Sequence, residues 1–153
     1  MKKISLEVAS MLERDAILSK ISIIKRCLET IKKTTGLKPE GLDDIIIQDV
    51  FVLNVQRSIQ ACIDIANTLI AENGWKLPAS YKESFSIISS NKVISEKLEK
   101  IMMKMCGFRN IAVHDYQQIT SDIMKSILVC HLKDFEDFYT EVFGYINNLS
   151  STT

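Results

Sequence analysis

"VFVLNVQRSIQACIDIANTLIAENG", residues 50–74, is the stretch whose reading decides the fold. Its apolar side chains lie almost all the way around a helical wheel, which marks a helix packed on several sides and therefore central to the domain. Asp43 or Asp44 can cap its start, and Asn73-Gly74 supplies the stop. Arg57 and Asp64 interrupt the apolar surface two turns apart on the same side. They read either as a structural or solvent-facing pair, or, for Arg57, as a phosphate contact.

Upstream, Leu18, Ile21, Ile24, Leu28 and Ile31 form one helical stripe within a first helix from Ser5 to about Thr34, ended by "TTG" behind Lys32 and Lys33. Downstream, "GWKLPASYKESF" has the Gly, Trp and Pro of a packed connector. Short helices are expected near Ala79–Ser89 and Ser95–Met105, with Gly107 breaking the pattern after them. A last helix runs from Ser121 to Asn148, with Met124, Leu128, His131, Phe135, Phe138, Val142 and Ile146 on one stripe. His131 thus reads as a hydrogen-bonded core or interface residue rather than a base. With no repeat, no low-complexity tract and no alternating pattern, the expectation is an all-α, up-and-down bundle of about five helices. Residues 1–148 form a single domain, and residues 149–153 a frayed tail.

Composition narrows the function. The 153 residues are 46% hydrophobic and 25% charged, the makeup of a folded protein. Nineteen basic and nineteen acidic residues cancel, so any nucleic acid must be held by a local patch. One such patch gathers Lys92, Lys97, Lys100, Lys104 and Arg109 against Glu96 and Glu99; it reads either as a solvated helix face or as a track for phosphates, with Lys100 and Lys104 as RNA contacts. No apolar run is long enough to span a bilayer and no signal-peptide core follows the opening lysines, which points to a cytoplasmic protein. Cys27, Cys62, Cys106 and Cys130 are widely spaced and read as four small buried side chains.

Several chemistries are excluded. Neither a G-x-x-x-x-G-K-[ST] nor a G-x-G-x-x-G loop occurs. Two histidines seventeen positions apart and scattered cysteines offer no zinc spacing, so neither a metal nor another cofactor is expected. What remains is work for an imidazole and a guanidinium, and both occur in "RNIAVHDY", residues 109–116, in a chain with two histidines and four arginines. RNA cleavage uses this pair: a base takes the ribose 2′-hydroxyl proton, an acid protonates the leaving 5′-oxygen, and a cation holds the developing charge. His114 suits the acid or the base, Arg109 the cation. Five residues apart on an ideal helix, the two differ by roughly 140° and do not share a face. A helix start at Gly107 would relax that geometry. One histidine serves poorly as both acid and base, so catalysis predicts a two-fold homodimer with two motifs in one cleft.

At these residues the chain resembles the HEPN superfamily, whose signature is Arg, four to six residues, then His, and most closely its HepT branch, marked by Arg-x4-His-x-Tyr. Arg109, His114 and Tyr116 occupy the motif positions, with Asn110 and Asp115 as supporting motif residues. "VQRSIQACIDIANTLIAENGWKLPASYKESF" and "KMCGFRNIAVHDY" carry the likeness over most of the chain from about Asp43 onward. The resemblance implies a dimeric, metal-independent ribonuclease toxin of a bacterial toxin–antitoxin pair, with Arg109 and His114 at the dimer cleft. Its partner would be an MNT-type nucleotidyltransferase antitoxin that silences it by attaching AMP to Tyr116. A different implication, fitted to the zero net charge, is a non-catalytic accessory or substrate-binding subunit of a two-component nucleotidyltransferase.

Overall fold

Six α-helices appear in the computed structural model, which describes residues 2–151, and no strand occurs among the described residues. They are α1 (Lys2–Thr35), α2 (Ile45–Asn73), α3 (Tyr81–Ser90), α4 (Glu96–His114), α5 (Ser121–Cys130) and α6 (Leu132–Ser151), with 3-10 turns at Pro39–Asp43 and Tyr116–Gln118. As its sequence requires, α2 is the axis and touches each of the other five helices. Phe51, Val55, Ile59, Ile63, Ile65 and Leu69 on it are essentially sealed from water. Asp44 caps its start, its carboxylate accepting from the Ile46 and Ile47 N–H groups at 2.8 and 3.2 Å. Asp43, the other possible cap, instead pairs with Lys125 at 2.8 Å. The helix ends on Gly74 at φ 65°, a left-handed conformation that glycine adopts without steric cost.

Against this axis α1 lays Ile17, Ile21, Ile24, Leu28 and Ile31, all buried. Lys20 on α1 reaches Asp64 on α2 at 3.1 Å across this antiparallel pair. At the other side Phe85 of α3 meets Phe138 of α6 edge to face, ring centres 5.8 Å apart.

Two helix boundaries differ from the sequence expectation. Gly107 does not break α4, which passes through it to His114. A single helical glycine costs only about 1 kcal/mol, and the buried Met102, Met105, Cys106 and Ala112 hold both sides of it in one helix. The expected last helix is instead two, parted at His131, with no Gly or Pro to mark the join. There the His131 N–H still closes α5 on the Ile127 carbonyl, while its own carbonyl accepts from the Asp134 N–H. The imidazole Nδ1 lies 2.9 Å from the Asp134 carboxylate. His131 is thus a half-exposed joint residue rather than a member of a continuous stripe. α6 runs on to Ser151, so part of the expected tail is helical, and residues 152 and 153 lie outside the described residues.

Three of the four cysteines are buried, and Cys130, carried to the surface by the α5–α6 join, is exposed. Burial pushes the Cys27 and Cys62 thiols up, and Cys106 up to about 11, so all three stay protonated. None of the helices is long and apolar enough to cross a membrane, among the described residues.

Candidate functional site

The motif lies on the last turn and a half of α4 and runs out into the 3-10 turn that follows. Helix α4 begins with Ser95, whose hydroxyl accepts from the Leu98 N–H, and ends at Asp115, whose N–H closes on the Ile111 carbonyl. Buried Ala112 faces the core, while Ile111, Val113 and His114 face outward.

Arg109, Asn110 and His114 all line one pocket of about 570 Å3, walled by Asn67 of α2, the 78–80 connector, and Tyr81, Lys82 and Ser84 of α3. The angular separation read from the sequence is therefore overcome: Arg109 enters beside α2 and α3, and His114 enters from the helix end. Three contacts set the guanidinium. Its Nε donates to Gln60 Oε1 at 3.2 Å, one of its terminal nitrogens donates to Asn110 Oδ1 at 3.3 Å, and its carbon sits 5.0 Å from the Tyr81 ring centre. Gln60 in turn donates to Asp64 Oδ1 at 3.0 Å, and Asp64 is paired with Lys20. The chain from α1 through α2 to α4 thus holds Arg109 at its Nε, while one terminal nitrogen is held by Asn110. The His114 ring makes no hydrogen bond among the described residues and is exposed, ready to meet a ligand.

Tyr116 does not line this pocket; it stands on the 3-10 turn, 40% exposed, and donates to Asp49 Oδ1 of α2 at 2.5 Å. Partial burial and this bond to a carboxylate push its phenol up to about 12. Arg57 lines a separate groove between α1 and α2 with Arg26 and Asn54, adjoining Gln60. It does not pair with Asp64, whose carboxylate is taken by Lys20 and Gln60. The lysines do not gather around Arg109. Lys100 lines a small pocket with Lys92 and Glu99, and Lys104 is among the residues lining a mainly apolar pocket between α2, α4, α5 and α6. Among the described residues no group of three or more His, Cys, Asp or Glu is placed to hold a metal ion.

Sequence reasoning missed Gln60, Tyr81, Lys82 and Asp49. For Tyr81 and Lys82 a signal was present: Ser80, which caps α3 by accepting from the Glu83 N–H, begins a Ser-x-x-Glu start. For Gln60 and Asp49 no local signal exists, because their partners lie 49 and 67 residues away.

A sequence profile described as ribonuclease HepT-like matches residues 24–142. The chain belongs to the HepT-like ribonuclease family. Among relatives, the mRNA nuclease HepT of Shewanella oneidensis is 41% identical over 124 residues, spanning 81% of this chain and 93% of the relative. A tri-AMPylated Shewanella oneidensis HEPN toxin, solved in complex with an MNT antitoxin, superimposes with a TM-score of 0.80 at 39% identity, over 85% of this chain and 98% of the toxin. A toxin–antitoxin structure with AMP-PNP gives 0.80 at 38% identity, over the same shares, 85% and 98%. The all-helical HepT-like architecture expected from the sequence is the one observed.

Proposed function

We propose that this HepT-like chain is the toxin of a bacterial toxin–antitoxin pair, an endoribonuclease that cuts RNA in the cytoplasm without a metal. The observation that carries the reading is the convergence of Arg109 and His114 on one pocket, with Arg109 held by Gln60 and Tyr81. In the reaction, a base removes the 2′-hydroxyl proton and that oxygen attacks the adjacent phosphorus. The bond to the 5′-oxygen breaks as an acid delivers a proton to it. His114 performs one of the two proton transfers, and Arg109 neutralises the charge that grows on the phosphoryl oxygens. Asn110 steadies Arg109, and Asp115 ends the helix so that His114 stands free at its tip.

The second proton transfer is assigned to His114 of a second copy across a two-fold cleft. Ile111 and Val113, exposed between the two motif residues, supply apolar surface beside that cleft. Lys82 in the pocket and Arg57 in the adjoining groove take flanking phosphates, while Lys100 and Lys104, lying off the pocket, reach only RNA that continues around α4. In this reading residues 1–148 act as one unit and residues 149–153 have no part.

Silencing follows the related complexes. An MNT-type nucleotidyltransferase antitoxin transfers AMP to Tyr116, a partly exposed residue two positions beyond His114. A bulky anion there obstructs the cleft and repels RNA phosphate. The test is cleavage of total cellular RNA by purified, unmodified protein in EDTA, with His114→Ala alongside. Discrete products from the wild type alone are expected; intact RNA in both lanes would overturn the ribonuclease reading in favour of an accessory subunit.

A further inference from the structure

We propose that Asp49 is the catalytic base for AMP transfer to Tyr116, accepting the phenolic proton as the hydroxyl attacks; the inference rests on the AMP-transfer reading above. Its basis is geometric. Asp49 is on the second turn of α2 and Tyr116 on the 3-10 turn after α4, 67 residues later, yet the hydroxyl donates directly to Asp49 Oδ1 at 2.5 Å. This is the one hydrogen bond of the Tyr116 hydroxyl among the described residues, and both side chains are solvent-facing, so a partner enzyme can present a nucleotide to the oxygen without dismantling the pair.

Why a base is needed follows from the state of the phenol. With the hydroxyl pushed up to about 12, only about one molecule in 10⁵ carries a phenolate at neutral pH. Asp49 is the carboxylate that the Tyr116 hydroxyl meets. The same carboxylate that disfavours the free phenolate is placed to take the proton at the moment the oxygen becomes acidic, when its bond to phosphorus begins to form. The step balances without another reagent from this chain. Tyr116 Oη forms a bond to the α-phosphorus of a nucleoside triphosphate held by the partner, and the bond from that phosphorus to pyrophosphate breaks. Pyrophosphate leaves with the electron pair, and the proton passes to Asp49 Oδ1 and on to solvent.

Two substitutions separate proton acceptance from mere positioning. Asp49→Asn keeps an acceptor oxygen beside the phenol but cannot take its proton as readily, and Asp49→Glu restores a carboxylate. Initial rates of mass gain are measured by intact-mass spectrometry with the cognate nucleotidyltransferase saturating, ATP and magnesium present, and Tyr116→Phe as the site control. Expected is a fall of about 100-fold or more in Asp49→Asn at neutral pH, partial recovery in Asp49→Glu, and a rate in the Asn variant that climbs with pH and narrows the gap. Mass gain on wild-type Tyr116 with an Asn variant within about twofold of it would overturn the role of Asp49 alone. Absence of mass on the wild type, or the same mass on Tyr116→Phe, would overturn the AMP-transfer reading itself and the inference with it.

Discussion

Gln60→Ala tests whether the aim of Arg109 is set by α2. The substitution removes the 3.2 Å bond to the guanidinium Nε and leaves the Lys20–Asp64 pair in place. A hydrogen bond to a charged group is worth about 1.5–3 kcal/mol when desolvated. Arg109 is only half-buried and water replaces part of the loss, which brings the figure to about 1 kcal/mol, or roughly a fivefold loss in kcat/KM. Tyr81→Ala removes a cation–π contact at a partly exposed site, worth about 0.5–1 kcal/mol, a two- to fivefold loss. Arg109→Ala deletes the charge itself and is expected to cost about 10²–10³-fold. The assay is single-turnover cleavage of a labelled RNA by each variant, completed by the Gln60→Ala change in the Arg109→Ala background. A Gln60 that acts on cleavage through Arg109 predicts that this second change is silent there. The same fivefold loss in both backgrounds would refute the positioning role, as would a wild-type rate in Gln60→Ala.

Gly107→Ala should stabilise the protein by about 0.5–1 kcal/mol, since a Cβ there meets nothing within 4 Å and the residue is helical; calorimetry should show Tm rising by a few degrees, and a fall would mean α4 needs the glycine. Phe138→Ala, which empties a sealed site against Phe85, should cost about 3–5 kcal/mol in chemical denaturation. Glu72 should make stability depend on pH. Partial desolvation of this largely exposed side chain, followed by a hydrogen bond with Glu13 on α1, raises its carboxyl to about 7 from an ordinary value of 4.5. The folded state therefore binds this proton more tightly than the unfolded chain, so the contribution is complete below about pH 4.5 and lost as pH rises through about 7. Melting from pH 5 to 8 should show a decline that is weaker in Glu72→Gln; an equal decline in both would remove this carboxyl as its source.

By itself the sequence determined whatever depends on neighbours along the chain. The period of apolar residues made α2 a buried axis, the Asp43-Asp44 pair and Gly74 bracketed its ends, and the spacing of Arg109, His114 and Tyr116 carried the resemblance to the family. Local rules failed where competing free energies are settled by packing. The penalty of Gly107 is smaller than the burial gained by keeping α4 whole, and His131 joins two helices without a breaker residue. Only the tertiary structure decided the site's supporting contacts. Arg109 meets Gln60 and Tyr81, and Tyr116 meets Asp49, through helices brought together by the shared core. A hydrogen bond reads a separation of about 3 Å in space and takes no account of the chain between its partners.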